Sequence, residues 1–414
     1  MDSKFFGRQV KHFRIRRGLT VRDFASLMDK SVRWVEDLEA GNRQADPNLS
    51  VARLAALRLG ITLERLIAEP VDVECAGESE IVAVRAALQR HDVITGACDD
   101  SNADPVPVAT LRRGLDYSRT AFQAGHFQQL GSDIPTLLVD ATRAAHRHAG
   151  DDQLTAYGVL SLTLELAEAA AIKWGDTQLA VLAGHRAVAA AERSGNPVIM
   201  ASAARHLGDA MTMHGEAAAA AEFVLAAATR LQPGLLRSGP EGYSVLGMLF
   251  LKAAMASAAA AEAEDRHPER HARRVPDFLS EADEHAARLG GDANYLYTAF
   301  GPTNVAAYRV AAHVHLSEGA DAVAVAHGIP APAFQSLPRE RRAHLLADRA
   351  RGETQAGLRE DAVTTLLEAE ELAPEEVRCR PRTRTLVEDL RLLGVPPSTQ
   401  GRLRLLADRC GLPG

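Results

Sequence analysis

Residues 19–41 decide the fold of the N-terminal part of this chain, and they read L-T-V-R-D-F-A-S-L-M-D-K-S-V-R-W-V-E-D-L-E-A-G. Thr20 and Ser31 are both good helix N-caps, because a side-chain hydroxyl can accept from the first free backbone amides. Apolar residues follow each cap at helical spacing, and Gly41 stands where a left-handed residue ends a helix. Two short capped helices with a tight turn between them predict a helix-turn-helix, whose second helix enters the major groove of DNA.

A longer stretch around this motif, residues 7–67, resembles the DNA-binding domain of phage repressors and of xenobiotic-response-element (XRE) regulators. The resemblance is carried by residue types at fixed offsets, namely Arg14, Arg17–Thr20, Ser31, Val35, Leu38, Glu39, Gly41–Arg43, Pro47 and Leu59–Leu66. It implies a five-helix, lambda-repressor-like domain over residues 1–68 that binds an operator in double-stranded DNA.

Three features depart from the family pattern. Asp29 stands where the family usually has a turn glycine, and Val21 stands where it often has a glutamine. Glu36 and Asp37 place two carboxylates in the second helix, which weakens its attraction to phosphates. These departures leave the predicted fold intact and the target sequence open.

The first turn of the second helix would face the groove with Ser31, Val32, Arg33 and Trp34. Arg33 is the best base reader, because a guanidinium can bond the edge of a guanine in two places. Two roles remain open for Trp34, which either packs along the sugar-phosphate wall or acts as a partly buried prop. The remaining candidates for DNA contact, mainly to phosphates, are Lys11, Arg14, Arg16, Thr20, Arg22, Asn42, Arg43 and Gln44. For any one of these arginines, a solvated helix face is the alternative.

Charge is distributed unevenly along the chain. Residues 1–67 carry 13 Lys and Arg against 8 Asp and Glu, whereas the remaining residues carry 34 against 46. A basic N-terminal part on an acidic remainder would be drawn to DNA through the first and repelled through the second.

The rest of the chain predicts an all-α fold. Residues 69–109 form a linker with one helix near 80–90, and residues 110–414 show an almost unbroken helical pattern. Among the predicted helices are 216–231, 268–289, 292–300 and 374–393. Residues 343–376 fit the 34-residue tetratricopeptide (TPR) pattern through Ala350, Ala362, Leu366, Ala369 and Pro374. A second stretch, ending at Pro233, fits the same pattern poorly. The alternative to a repeat fold is an irregular all-α body.

A second resemblance lies in residues 300–311, F-G-P-T-N-V-A-A-Y-R-V-A, and in the segments that follow them. They are similar to a large group of actinobacterial regulators that join an XRE-type head to a TPR-like body. The resemblance implies that residues 110–414 form an α-superhelical TPR-like domain for dimerisation and ligand sensing. The wider class includes receptors whose repeat groove binds a signalling peptide.

Candidate ligand-binding residues are concentrated between 294 and 309, in a chain that is only 5% aromatic. They are Asn294, Tyr297, Thr303, Asn304, Tyr308 and Arg309. The alternative is that Phe300, Tyr295 and Tyr308 belong to the core and that Asn304 bridges helices. Secondary candidates for the same groove are Lys173 with Trp174 and Arg205 with His206.

The sequence gives little support for an enzyme. It has no Gly-Lys dipeptide for a phosphate loop, no H-E-x-x-H motif and no nominated catalytic set. His267 and His271 are read as solvated, so neither a metal nor another cofactor is expected. The apolar run 245–261 is read as a buried helix, and no signal peptide is recognised, so a cytoplasmic protein without a membrane partner is expected.

The sequence is therefore consistent with two functions. In the first, the protein is a homodimeric transcription regulator that binds an operator and senses a peptide or small-molecule effector. In the second, it is an interaction scaffold whose helix-turn-helix has lost DNA binding. Dimerisation is expected in the first case because one such domain reads too few base pairs.

Overall fold

The computed structural model describes residues 6–7, 10–11, 13–14, 19–42, 49–59, 63, 66, 78–99, 104–264 and 266–412. Within these ranges every regular element is a helix, which confirms the all-α prediction. The chain divides into two compact units. Residues 1–73 with 404–414 form the unit that we call the head, and residues 74–403 form the unit that we call the body.

The head contains helices α1 (Val21–Met28), α2 (Val32–Glu39) and α3 (Leu49–Leu59). Thr20 Oγ1 accepts from the amide of Asp23 at 3.1 Å, and the Asp23 carboxylate accepts from the amide of Thr20 at 3.0 Å. Ser31 Oγ accepts from the amide of Trp34 at 3.2 Å. Both predicted N-caps are therefore confirmed, the first of them as a reciprocal capping box.

The turn between α1 and α2 is made by Asp29, which has φ 53° and ψ 49°. Left-handed backbone disfavours most side chains, but aspartate tolerates it better than most because its short polar side chain can bond locally. Phe24, Met28, Val35 and Leu38 then point inward and are at most 2% exposed. The turn thus lets both helices bury their apolar faces in one core.

The other helices are α4 (Glu78–Leu88), α5 (Val108–Ala124), α6 (Phe127–Arg147), α7 (Gly150–Trp174), α8 (Thr177–Ser194), α9 (Pro197–Met213), α10 (Ala217–Arg237), α11 (Gly239–Ala263), α12 (Glu269–Ala272), α13 (Val275–Leu289), α14 (Pro302–His315), α15 (Gly319–His327), α16 (Ala331–Ser336), α17 (Arg339–Gln355), α18 (Arg359–Leu372), α19 (Pro374–Arg378), α20 (Pro381–Leu393) and α21 (Pro397–Arg409). Helices that follow each other in the chain mostly pack side by side. The division between the units falls within α21, since Arg404 begins the second segment of the head.

Helix α4 packs into the body core, although the sequence places it in a linker. Val84 and Leu88 are at most 1% exposed and join the apolar cluster of α5–α9. Arg85 also forms an ion pair with Asp176, the N-cap of α8.

The predicted TPR register is seen in the packing of α17 against α18. Ala350, Ala362, Leu366 and Ala369 are all 0% exposed, as expected where small and apolar residues allow two helices to approach closely. Pro374 begins α19, where the pattern predicts the end of the repeat.

Prolines account for several differences from the predicted helix boundaries. Segments 268–289 and 374–393 are each divided, because Pro276 and Pro381 occupy the first turn of a new helix. Pro233 instead lies inside α10, where a break was predicted. That helix continues to bury Leu235, which is 0% exposed, and this burial offsets the hydrogen bond that the proline removes.

Two body helices, α7 and α11, are long and apolar enough to cross a membrane, with mean hydropathy of 1.2 and 1.6 over their most apolar windows. In the structure 67% and 83% of those windows is buried inside the body. The prediction that residues 245–261 form a buried helix is confirmed.

We predict that Asp29→Val loosens the turn between α1 and α2, whereas Asp29→Gly does not. A β-branched residue in left-handed backbone costs about 1–2 kcal/mol, and glycine adopts it without a Cβ clash. Hydrogen exchange of the amides in residues 21–42 measures the local stability. Equal protection in the wild type and in Asp29→Val would show that the turn is not left-handed.

Candidate functional site

The first turn of α2 presents its side chains to solvent. Ser31 and Arg33 are exposed and Val32 is 38% exposed, whereas Val35 and Leu38 are buried on the opposite face. Trp34 is half-buried and packs against the head core. This placement favours the partly buried prop over the other role considered for Trp34.

The surface around α1 and α2 offers further polar side chains. Lys11, Arg22 and Asn42 are exposed, as is Thr20, whose hydroxyl is engaged in the capping box. Three other candidates for phosphate contact, Arg16, Arg43 and Gln44, lie outside the described residues.

Arg14 has a structural position that differs from its predicted contact with phosphate. Its side chain is 8% exposed and forms two bonds to the Glu39 carboxylate, of 2.6 and 3.0 Å. Nη1 also donates to the carbonyl of Leu19 at 2.7 Å. Because a paired, buried guanidinium is costly to separate from its partner, Arg14 serves to join the start of α1 to the end of α2.

The body encloses a cavity of 430 Å³. Helices α5, α7, α9, α11, α14 and α17 supply most of its wall. The wall has apolar residues, namely Phe122, Ile172, Met213, Met255 and Leu345. It also carries the ionisable residues Arg119, Glu168, Lys173, Arg205, His206, Asp209, Lys252, Glu262, Tyr297, Tyr308, His315, Glu340, Arg341, His344, Asp348, Arg380 and Arg382.

A buried lysine joins the first part of the body to the last. Lys173 Nζ on α7 donates to Glu340 on α17 at 2.5 Å and to Glu376 on α19 at 2.7 Å. Glu376 also accepts from Arg380 at 2.6 Å. Burial alone would raise the pKa of Glu340, but Lys173 and Arg341 hold it well below its usual value. The carboxylate is therefore ionised and paired.

The same carboxylates have the spacing of a metal site. Oxygen and nitrogen atoms of Glu340, His344 and Glu376 lie within 4.8 Å of one another. The Lys173 ammonium is bonded to both carboxylates, however, and supplies the positive charge that a metal ion would bring. This cluster is better explained as an ion pair.

A second polar cluster lies between α7 and α9. His206 Nδ1 is 2.5 Å from Glu168 Oε2, and Ser202 donates to Glu165 at 2.7 Å. Burial raises the pKa of both glutamates, that of Glu168 well above its usual value. Burial and nearby arginines, Arg205 first among them, lower the pKa of His206 far below its usual value. The histidine is therefore neutral at neutral pH.

A third cluster surrounds the phenol of Tyr308. Lys252 Nζ binds Asp209 at 2.7 Å and lies 5.4 Å from the centroid of the Tyr308 ring. The guanidinium of Arg341 is 5.7 Å from the same centroid. Burial disfavours the tyrosinate, but these two cations outweigh it and lower the pKa of Tyr308. This part of the wall is cationic.

The ligand-binding residues predicted between 294 and 309 separate into two groups. Tyr297 and Tyr308 line the cavity. Asn304 is 0% exposed and donates to the carbonyl of Thr298 at 3.3 Å, so it bridges backbone segments, as the alternative proposed. The backbone amide and the hydroxyl of Thr303 both donate hydrogen bonds to the Asp292 carboxylate.

Two further predicted ligand-binding residues lie away from the cavity wall, and two of the core candidates differ in burial. Arg309 forms an ion pair with Asp283 at 2.6 Å, and neither Arg309 nor Asn294 lines the cavity. Phe300 is 0% exposed and belongs to the core. Tyr295 is 39% exposed, which differs from the core position considered for it.

Residues 294–299, which we call the strap, lie at the edge of the cavity. The sequence predicts a helix here, but Leu296, Tyr297 and Ala299 have left-handed φ values of 46°, 59° and 47°. The side-chain amides of Asn294 and of Gln123 on α5 form two hydrogen bonds with each other, of 2.9 and 3.1 Å. The Tyr297 hydroxyl donates to Asp116, also on α5. These long-range bonds replace the hydrogen bonds of a regular helix.

The sequence shows one signal for the cavity, which identifies only part of it. Helix α7 is apolar throughout most of its length, yet it carries Glu165, Glu168 and Lys173 on buried positions. Charges within an apolar helix mark a polar interior. The secondary candidates Lys173, Arg205 and His206 do line the cavity. Lys252 lies within the apolar helix α11 and gives the same signal, whereas Arg341 lies in the charged helix α17 and gives none.

Comparison with known proteins adds only a general likeness. No protein-family model matches the sequence, and no curated protein matches it with significance. PlcR from Bacillus thuringiensis, solved in complex with the peptide PapR7 and DNA, is similar at 13% identity and a TM-score of 0.28, over 69% of this chain and 98% of PlcR. ComR from Streptococcus suis is similar at 13% identity and a TM-score of 0.25, over 95% of this chain and 96% of ComR. Scores this low leave the assignment of function to the chain's own side chains.

We predict that Lys173→Met destabilises the body by about 3–5 kcal/mol at neutral pH, because it leaves two buried carboxylates without their cation. Urea unfolding of the full chain measures the loss, and Lys30→Met, which removes an exposed lysine of the head, is the control.

The deficit of Lys173→Met should depend on pH. Since the folded pKa of Glu340 is depressed, its pairing stabilises the wild type above the unfolded carboxyl pKa of about 4.3. That stabilisation is lost as pH falls through the folded pKa. The difference between wild type and variant should therefore stay level from pH 7 to about pH 5 and shrink as pH falls below the unfolded pKa of about 4.3. A difference that grows on acidification would contradict the ionised pairing.

Proposed function

We propose that this chain is a cytoplasmic, homodimeric transcription regulator whose head binds operator DNA and whose body binds an effector in its cavity. The observation that carries the proposal is the geometry of α1, the Asp29 turn and α2. It supports a helix-turn-helix, because a capped second helix exposes Val32 and Arg33 while its other face is buried.

The chemistry of the exposed turn suits the major groove of DNA. Arg33 can bond guanine O6 and N7 together, and Val32 can contact a thymine methyl group. Ser31 fixes the start of the helix through its cap, so these two side chains project from a defined position. Lys11, Arg22 and Asn42 would contact phosphates, which set the register without reading sequence.

Dimerisation follows from the size of the reading surface. A single helix-turn-helix contacts one half-site, and two-fold dimers bind two half-sites about one helical turn apart. The acidic remainder of the chain, with 34 basic and 46 acidic residues after position 67, would be repelled by the duplex. DNA contact would therefore be confined to the two heads.

The body would act as the sensor. A ligand shifts an equilibrium only when it binds two states with different affinities. The strap is suited to such a difference, because its left-handed residues are held by bonds to α5 across the edge of the cavity. A ligand that fills the cavity would favour the conformation in which the strap is hydrogen-bonded to α5.

We predict that Arg33→Ala weakens binding to a selected operator by about 1–3 kcal/mol and relaxes the preference at one base pair. The site is first selected from a random duplex library with the full chain, and affinities are then measured by fluorescence anisotropy. Arg53→Ala, an exposed arginine of α3 outside the candidate set, is the matched control.

The outcome separates the regulator from the scaffold. If Arg33→Ala binds with unchanged affinity and preference, α2 is not the reading helix. If the wild type selects no sequence and retains no DNA, the scaffold with an inactive helix-turn-helix is the better description.

A further inference from the structure

Among the described residues, not every charge that lines the cavity has an opposite charge at bonding distance. Most of its cations have a carboxylate at bonding distance, as Lys173 has Glu340 and Glu376, and as Lys252 has Asp209. Arg205 differs from them. It is 6% exposed and lines the cavity, and it makes no hydrogen bond or ion pair with any of the described residues.

Arg341 is only partly compensated. Its Nε is buried without a hydrogen-bond partner in the described part of the chain. The nearest carboxylate oxygen, Glu340 Oε2, is 4.0 Å from this Nε, and the other oxygen of Glu340 is bonded to Lys173. The Arg341 guanidinium lies over the ring of Tyr308 instead, with 5.7 Å to the centroid.

A buried guanidinium without an anion is expensive, because it gives up its hydration and gains no ion pair in return. Arginine also cannot escape this cost by losing its proton, since its charge persists under any ordinary condition. Arg205 is such a group, and Arg341 beside the same cavity is only partly paired, so together they indicate that an anion completes the site. The depressed pKa of the neighbouring His206 agrees with a positive potential there, since Arg205 contributes to it after burial.

The shape of the wall limits what else the ligand contains. Phe122, Ile172, Met213, Met255 and Leu345 give the cavity wall apolar surface. A volume of 430 Å³ fits a compact molecule, within the range of small-molecule pockets. An inorganic anion alone would leave this apolar surface without a contact.

We propose that the cavity binds an amphipathic organic anion, whose carboxylate or phosphate is held by Arg205 and Arg341 and whose apolar part packs against Ile172 and Met213. Its role as the effector rests on the proposed regulator function, but its binding does not. The guanidinium fork suits both carboxylate and phosphate oxygens. The free C-terminus of a short apolar peptide offers the same chemistry as a small carboxylic acid.

Calorimetry with the full chain and a matched series tests the headgroup. The probes are 4-phenylbutyrate, 4-phenylbutyl phosphate, 4-phenylbutanamide and 4-phenylbutylamine, which share one apolar part. The two anions should bind at least tenfold more tightly than the amide and the amine. Equal affinity across the series, or no binding of either anion, overturns the proposal.

A second arm distinguishes the two sources of the carboxylate. The apolar tetrapeptide Ala-Leu-Leu-Phe is titrated with a free and with an amidated C-terminus. Where 4-phenylbutyrate binds, tighter binding of the free peptide than of both its amidated form and 4-phenylbutyrate supports the anion site and assigns the carboxylate to a peptide. Tighter binding of 4-phenylbutyrate than of the free peptide supports the site and assigns the carboxylate to a small acid. Equal binding of both peptide forms, together with equal acid and amide, contradicts the site.

Variants of Arg205 separate binding from folding. Arg205→Met should weaken the anions at least tenfold and leave the amide unchanged, while Arg205→Lys should fall between. Arg230→Met, at an exposed position of α10, is the control. Because Arg205 has no partner among the described residues, the ligand-free Arg205→Met variant should melt no lower than the wild type. A clearly lower melting temperature, or unchanged anion affinity, would assign Arg205 a structural role and overturn the proposal.

These titrations contain no DNA, so the two proposals can fail separately. Anion binding without any selected operator leaves the site intact and removes the regulator. An operator without anion binding leaves the regulator intact and removes this site.

Discussion

The body depends on one buried contact, in which the Lys173 ammonium is held between the carboxylates of Glu340 and Glu376. It joins a helix in the first half of the body to two helices near its end. Side chains of this kind are rarely buried unless they are paired, and here the pairing brings the distant helices together around a polar interior. The strap makes a second connection of the same type, through Asn294 and Gln123. Lys173 and Glu340 also line the cavity, together with charged residues of several other helices, and that lining decides which ligands the cavity can accept.

The head is also held together by a buried ion pair. Arg14 and Glu39 form a buried ion pair that connects the residues before α1 with the end of α2. The pair fixes the angle at which α2 leaves the core, while the caps at Thr20 and Ser31 fix where each helix begins. Arg33 then projects from a rigid position, as a side chain that reads a base edge requires. Arg14, one of the candidates for phosphate contact, is thus used to position Arg33, the residue proposed to read sequence.

Local patterns predicted the fold well, and non-local contacts account for what they missed. Thr20, Ser31 and Ala350 have roles set by their immediate neighbours, so caps, turns and the close pair of α17 and α18 could be inferred from spacing alone. The ion pair of Arg14 could not be inferred, because nothing in its local sequence shows that Glu39 lies beside it, and the bridge that Asn304 makes was one of two roles left open. The strap was predicted as a helix because its left-handed residues are held by α5, far away in the chain. The cavity was only partly foreseen, since its cations come from six or more helices that the sequence does not bring together.

The most direct test of the account measures the binding of the full chain to a selected duplex as a function of salt. Neutralised phosphates release counter-ions, so a head that docks through Lys11, Arg22 and Arg33 should lose at least about tenfold in affinity between 50 and 200 mM salt. Fluorescence anisotropy at a series of salt concentrations gives the slope. A steep, linear fall of log affinity with log salt is the result that the account predicts. Binding that does not depend on salt, or no binding to any duplex, would contradict it.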